Sequence, residues 1–208
     1  YTPVPDKDGK NPDAGKSTEQ LFADCEAEIA RQRPVANFKP IFGCEMYVAD
    51  NDMTDRSNKK DIGRHLIVLA KNQHGYHNLI KLVSNAWTDG YYHHPRTDKK
   101  QLEKYHEDLI VCSACLGGEV PKLITAGHIE EAEKSILWFK KVFVEDYYLE
   151  LQRHKATVAR ANQEAYPLQQ EVNKVLIEMS KKHNIKLVCT NDVHFVNEED
   201  AEAHDRLI

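Results

Sequence analysis

Short apolar runs alternate with stretches of helical periodicity along most of this 208-residue chain, and that alternation limits the fold more than any other feature. The runs are Lys39-Pro-Ile-Phe-Gly-Cys-Glu-Met-Tyr-Val-Ala49, His65-Leu-Ile-Val-Leu-Ala70, Leu109-Ile-Val-Cys112, Tyr147-Tyr-Leu-Glu-Leu-Gln152 and Lys186-Leu-Val-Cys-Thr190. Each is of strand length, and the almost unbroken apolar run 65–70 suits a parallel strand covered on both faces. Between them, apolar residues recur every three or four positions. That spacing predicts helices over 18–32, 73–88, 119–126, 129–142 and 161–182, with another starting at Glu198. Tyr76, Leu79, Ile80, Leu82 and Val83 should face inward from the second. Ile129, Ala132, Ile136, Leu137 and Phe139 should do so from the fourth, and Val172, Val175, Leu176 and Met179 from the fifth. Strand–helix alternation of this kind implies an α/β fold around a parallel sheet, open or barrel-shaped.

Ser17 and Gln20 form a capping-box pattern ahead of the first helix, and Pro34 should end it. Residues 1–16, rich in Pro, Gly, Asp and Lys, read as a flexible segment. Residues 1–38 therefore form an arm or insertion with one helix, and 39–208 the main domain. Residues 50–63 carry seven charges and read as an exposed loop.

With 41% hydrophobic and 29% charged residues, the chain can build a core and is not disordered. No apolar run nears the roughly 20 residues of a membrane span, and the polar start is no secretory signal. A net charge of −5 argues against a free-standing basic nucleic-acid binder, although a local basic groove remains compatible with it. Five cysteines, an odd number without dense spacing, make a poor disulfide framework and point to reduced thiols in the cytoplasm. Cys112-x-x-Cys115 has no second such pair to complete a four-sulfur zinc site. No glycine-rich nucleotide-binding motif or internal repeat is present.

Functional groups in α/β folds gather where strands end. Asp192 and His194 follow the last strand and, two apart, share a side; a capping Asp beside a loop His is the plain alternative. Glu45 lies inside an apolar strand, where it must either find a partner or sit on a wet edge. His65 opens a strand, where it can serve as a plain cap; to join the same end, that strand would have to be distorted or antiparallel. Cys115 occupies a Gly-rich turn and can serve as a thiolate ligand, whereas Cys44, Cys112 and Cys189 suit core packing. Glu150, Gln152 and His154 alternate along one side of the fourth strand and would support a metal site or contact substrate, if they are not simply solvated. His74 and His77 read as solvent-exposed, and Tyr91-Tyr-His-His-Pro95 as an aromatic loop that stacks bases or covers a core edge. Two carboxylates, two imidazoles and a thiol suit Zn²⁺ or Mn²⁺ better than Mg²⁺, in a site that would activate water against a phosphate ester.

From Lys39 onward the chain resembles the PHP (polymerase and histidinol phosphatase) domain of the bacterial DNA polymerase III alpha subunit. The resemblance is carried by Pro40-Ile-Phe-Gly-Cys-Glu-Met-Tyr-Val-Ala49, His65-Leu-Ile-Val-Leu-Ala-Lys71 and Gly75-Tyr-His-Asn-Leu-Ile-Lys-Leu-Val-Ser84. It continues through Leu109-Ile-Val-Cys-Ser-Ala-Cys-Leu-Gly-Gly-Glu-Val-Pro121, Tyr147–Gln152, Thr190-Asn-Asp-Val-His-Phe195 and Glu199-Asp-Ala-Glu-Ala-His-Asp205, over about 170 residues. It implies a distorted (β/α)7 barrel with a trinuclear metal cluster whose ligands here fall on Glu45, His65, Cys115, Asp192 and His194. It also implies phosphoesterase or 3′–5′ proofreading chemistry. DNA and replisome subunits would be partners through the parent polymerase, whose own catalysis would use Mg²⁺.

The family's opening His-x-His strand, its following Asp and its Thr-Asp-His-Gly turn are not in this sequence. The chain is thus expected to be an incomplete barrel, a piece of a longer polymerase beginning inside an insertion. Its metal site would be partial and its hydrolytic activity weak or nil, and its open edge would be available for pairing between copies. A non-catalytic scaffold that docks a proofreading exonuclease, or a stand-alone PHP phosphoesterase, are the competing readings.

Overall fold

A computed structural model describes residues 15–32, 39–155 and 165–207. The chain divides into two compact units, Tyr1–Pro40 and Ile41–Ile208. In the first, helix α1 (Thr18–Gln32) begins with the expected capping box: the Ser17 N–H donates to Gln20 Oε1 at 2.8 Å, and the Gln20 N–H to Ser17 Oγ at 3.3 Å. Residues 1–14 and Pro34 lie outside the described residues, as does the first turn of the helix expected from residue 161.

The second unit contains, in chain order, β1 (Gly43–Val48), β2 (Arg64–Ala70), α2 (Gln73–Thr88), β3 (Tyr91–Tyr92), β4 (His94–Thr97), α3 (Lys99–Lys104) and β5 (Leu109–Cys112). After these come α4 (Glu119–Thr125), α5 (Ile129–Phe143), β6 (Tyr147–Gln152), α6 (Ala165–His183), β7 (Lys186–Thr190) and α7 (Ala201–Leu207). The strands form one sheet in the order β3-β4-β1-β2-β5-β6-β7, which leaves β3 and β7 as edges. This is an α/β sheet of barrel type that does not close. No helix among the described residues is long and apolar enough to cross a membrane.

The sheet is mixed rather than parallel. β2 runs antiparallel to both its neighbours, while β4 pairs parallel with β1 and β5, β6 and β7 run parallel to one another. No crossover helix separates β1 from β2; residues 49–63 turn back at the same end of the sheet, so the next strand must reverse. The apolar run of β2 is consequently buried on one side only. Leu66 and Val68 are buried, while His65, Ile67 and Leu69 are half-buried on the opposite face.

Helices pack on the face that carries Met46, Val48, Leu66, Val68, Val111 and Leu149. α2 contributes Leu79 and Leu82, α5 contributes Ile136 and Phe139, and α6 contributes Val172 and Leu176. Each fully buried side chain of this kind stabilises by about 1.5–3 kcal/mol. Phe139 stacks on Tyr147 with ring centroids 5.2 Å apart.

Several inward assignments from the sequence do not hold. Tyr76 and Ile80 are exposed on α2, because its buried stripe runs through Gly75, Asn78, Leu79, Leu82 and Ala86. Ile129 and Leu137 are likewise exposed on α5. Cys189 is exposed and Cys44 half-buried, leaving Cys112 as the strand cysteine that packs in the core. The aromatic stretch 91–95 is a β3–β4 hairpin, with His93 at its turn in the left-handed region at φ 60°.

The charged segment 50–63 is not simply an exposed loop. Met53 and Asp61 are buried within it. Arg96, fully buried, donates to the carbonyls of Asp61 at 3.0 Å, Met53 at 3.0 Å and Asp55 at 2.9 Å, and pairs with the Asp61 carboxylate at 3.3 Å. A guanidinium carries five donors in a fixed fork, so one side chain can satisfy several turns of a loop. The remaining charges of the segment conceal this inner layer in the sequence.

Candidate metal centre

The reversal of β2 settles where the polar groups meet. Its first residues lie at the same end of the sheet as the last residues of β1, β5, β6 and β7. In the β1–β2 ladder Tyr47 faces His65 and Glu45 faces Ile67, so Glu45, Tyr47 and His65 share the face opposite the helices. Cys115 reaches the same place from the turn after β5.

Glu45 Oε1 lies 2.7 Å from His65 Nδ1, and Cys115 Sγ lies 3.4 Å from the same nitrogen. The donor atoms of Glu45, His65 and Cys115 all fall within 4.8 Å of one another. Around a tetrahedral Zn²⁺, nitrogen, oxygen and sulfur ligands stand roughly 3.3–3.6 Å apart. The His65–Cys115 separation already has that value. The Glu45–His65 contact, at 2.7 Å, is closer than that and must open by about 0.6 Å to admit an ion. Burial pushes the Cys115 thiol up, and the Asp192 and Glu45 carboxylates add to the rise. A thiol held down by negative neighbours in a half-buried cleft is an arrangement that a cation relieves, so the donor set fits a divalent metal.

The local sequence shapes this pocket. The turn after β5 places Ala114 at φ 64° and folds back so that the N–H of Gly117 reaches Cys115 Sγ at 3.4 Å and that of Gly118 reaches the Cys115 carbonyl at 2.9 Å. The His65 N–H donates to the Gly117 carbonyl at 3.1 Å. A Cβ on Gly117 would stand 2.8 Å from His65 Nδ1 and 3.0 Å from its Cγ, so the imidazole rests on bare backbone. The other side of the ring meets the Tyr47 ring edge-on with centroids 5.0 Å apart, and Tyr47 stacks in turn on His94 at 4.4 Å. Sequence reasoning missed Tyr47 and Gly117 as supports. The period-two spacing of Glu45 and Tyr47 was the available signal for the first.

Asp192 is half-buried just beyond β7, in the left-handed region at φ 49°. His194 is exposed. Its Nδ1 contacts the Asp192 carbonyl at 2.8 Å, and its ring lies edge-on to His204 with centroids 5.4 Å apart. Thus Glu45, His65 and Cys115 are brought together, Asp192 bears electrostatically on the Cys115 thiol, and His194 is outside the three-residue cluster.

Glu150 is buried on β6, its carboxylate accepting from the Ala114 N–H at 3.2 Å, from Gln152 Nε2 at 3.1 Å and from Thr190 Oγ1. His154 is half-buried. Gln169 on α6 accepts from its backbone N–H at 2.7 Å and meets its Nδ1 at 2.8 Å. Because one amide atom must accept from the backbone, the other donates to Nδ1, which places the ring proton on Nε2. His74 is exposed, as expected, but its Nδ1 contacts Asp108 at 2.9 Å and holds that carboxyl below its usual range.

Comparison with known proteins identifies the family. The family model described as PHP domain matches residues 18–154. The DNA polymerase III subunit alpha of Borreliella burgdorferi is 47% identical over 178 residues, covering 83% of this chain and 14% of that protein. The subunit of Treponema pallidum is 41% identical over 174 residues, 82% of this chain and 14% of that protein. That of Chlamydia trachomatis is 37% identical over 183 residues, 82% of this chain and 15% of that protein. The chain therefore spans about one seventh of the length of these relatives. A strand reversal that delivers a carboxylate, an imidazole and a thiol to one end of the sheet goes with a sequence match over most of its length: this chain belongs to the PHP domain family.

Proposed function

We propose that this chain is a segment of the PHP domain of a replicative DNA polymerase III alpha subunit, and that it carries part of a Zn²⁺ or Mn²⁺ site of phosphoesterase type. The observation behind this reading is the convergence of Glu45, His65 and Cys115, with Asp192 close enough to affect the thiol. In the parent polymerase the partners would be DNA, the rest of the alpha subunit and other replisome proteins, and nucleotidyl transfer would use Mg²⁺ elsewhere in that protein. The cytoplasm follows as the compartment.

A bound divalent ion would supply activation of water and neutralisation of phosphate charge. Glu45, His65 and Cys115 would hold it, and Asp192 and His194, on the segment after β7, would complete the set. Residues 39–208 would constitute the partial domain and residues 1–38 an inserted arm.

Elemental analysis and chelator competition on the purified chain test this. The expected result is weak Zn²⁺ or Mn²⁺ binding that Cys115→Ser abolishes, with little or no 3′–5′ hydrolysis of single-stranded DNA. Binding unaffected by Cys115→Ser would overturn the assignment, and strong exonuclease activity lost in Asp192→Asn would overturn the expectation of an incomplete site.

The competing reading, a scaffold that docks a proofreading exonuclease, draws on the exposed Val193, Phe195 and Val196 beside the free edge of β7. The same edge would permit pairing between copies, which light scattering reads directly.

A further inference from the structure

We infer that Glu150 is a positioning residue that fixes the Cys115 turn and the Asp192-bearing end of β7 relative to each other. The inference rests on the metal-site reading for the significance of those two segments, but its structural content does not depend on an ion.

β6 lies between β5 and β7, and Glu150 is the point at which it grips both. Toward β5, Oε2 accepts from the N–H of Ala114, the residue before Cys115, and the Glu150 N–H donates to Ser113 Oγ at 2.8 Å. Toward β7, Oε1 accepts from the hydroxyl of Thr190, two residues before Asp192. Gln152 Nε2 braces this link, donating to Glu150 Oε1 at 3.1 Å and to Thr190 Oγ1 at 3.3 Å.

The two segments so joined both depart from ordinary backbone. Ala114 and Asp192 sit at φ 64° and 49°, in the left-handed region, which Asp enters more readily than most L-residues and Ala seldom does. Glu150 is 5% exposed, and no ion pair to it occurs among the described residues, so hydrogen-bond donors alone meet its charge. Burying a carboxylate costs several kcal/mol unless its lone pairs are satisfied. A neutral side chain would hold the same space at less cost. Here the charge binds the Ala114 and Thr190 donors more strongly than an amide oxygen could.

Glu150 faces the same side of the sheet as Glu45 and His65 without belonging to their cluster. It shares with Ala114, Cys115, Gln152, Gln169 and Asn173 the wall of a small cavity of about 10 Å³, and among the described residues Gln152 Oε1 in that wall is buried without a hydrogen-bond partner.

Hydrogen exchange of the whole chain decides the matter. Glu150→Gln should speed exchange at least about tenfold in both the 114–118 turn and residues 190–193, with the β1–β2 ladder unchanged. Thr190→Val should do so only at residues 190–193, and Thr190→Ser should restore wild-type protection. A uniform rise throughout the sheet, or a change confined to one segment in Glu150→Gln, would overturn the inference. If Glu150→Gln fails to fold, the Thr190 pair decides it: acceleration at 190–193 in the valine variant with recovery in the serine variant supports the link, and no difference between them refutes it. In parallel, Zn²⁺ competition should show Glu150→Gln binding roughly 10–100-fold more weakly. If the wild-type chain binds no Zn²⁺, the metal reading falls while the exchange result still judges the positioning role.

Discussion

Glu45 and His65 meet on the diagonal of the β1–β2 ladder: Glu45 pairs in backbone register with Ile67, yet its carboxylate reaches His65 Nδ1 at 2.7 Å. The two side chains are 42% and 31% exposed, so the contact is accessible from solvent. Glu45→Gln and His65→Ala should each weaken Zn²⁺ binding by at least about 100-fold, the upper end of what outer-shell changes cost. Titration calorimetry measures this. Where the ion binds, its removal with a chelator should lower the melting temperature of wild-type protein and leave His65→Ala unmoved, since only a ligand that binds the native state adds stability.

Gly117→Ala should disturb the centre without touching a ligand. The added methyl would stand 2.8 Å from His65 Nδ1, and the ring, confined by Tyr47, must turn away. A loss of roughly 1–3 kcal/mol in stability is expected from overpacking. The Zn²⁺ affinity should fall as well, by roughly 10–100-fold if Gly117 acts as an outer-shell support. Denaturant unfolding and metal competition on the same sample separate the two effects.

Arg96→Met should leave the Asp61 carboxylate buried without its cation and free three carbonyls of the 50–63 segment. Breaking a buried pair from one side costs about 3–5 kcal/mol. Limited proteolysis should then cut between residues 50 and 63 well before the rest of the domain, because a segment without anchors opens locally. Equal cutting in wild type and variant would show that the guanidinium does not hold the loop.

Acid should weaken the α5–α6 contact through Glu133. Hydrogen bonds from Lys182 and His183 hold its carboxyl below the ordinary carboxylate range. A depressed carboxyl contributes stability above its unfolded value and loses it as pH falls through the folded one. The loss should therefore begin as pH falls into the usual Glu range and continue below it. Glu133→Gln should flatten that part of the pH–stability curve while leaving the neutral side nearly unchanged. Unfolding midpoints followed from neutral pH downward give the comparison.

Strand positions were readable because β-branched and aromatic clusters mark them irrespective of direction. Direction was not: whether β2 runs parallel or antiparallel depends on how 49–63 returns, and the charges of that segment gave no hint of the Arg96 anchor beneath it. For the same reason His65, read as lying at the wrong end of its strand, is a close partner in the site. The α3 helix and the β3–β4 hairpin are too short for periodicity to reveal. Tyr76, Ile80, Ile129 and Leu137 are apolar yet exposed, since helical spacing identifies a stripe but not its width. The Glu45, His65 and Cys115 grouping was legible from residue type and strand position, and resemblance to the PHP family narrowed it. Gln169, arriving from a helix with no distinguishing pattern, was not.

The reversed strand also determines where the chain tolerates change in length. One residue added or lost within Gly43–Val48 would rotate the alternation, sending Glu45 and Tyr47 beneath the helices and bringing Met46 to the cleft. The same event in the 56–60 stretch, outside the anchored Met53, Asp55 and Asp61, would leave every side chain of the cleft facing as before. Variation among close variants of this domain should concentrate in that loop, and the β1–β2 ladder should admit substitutions but no insertions or deletions.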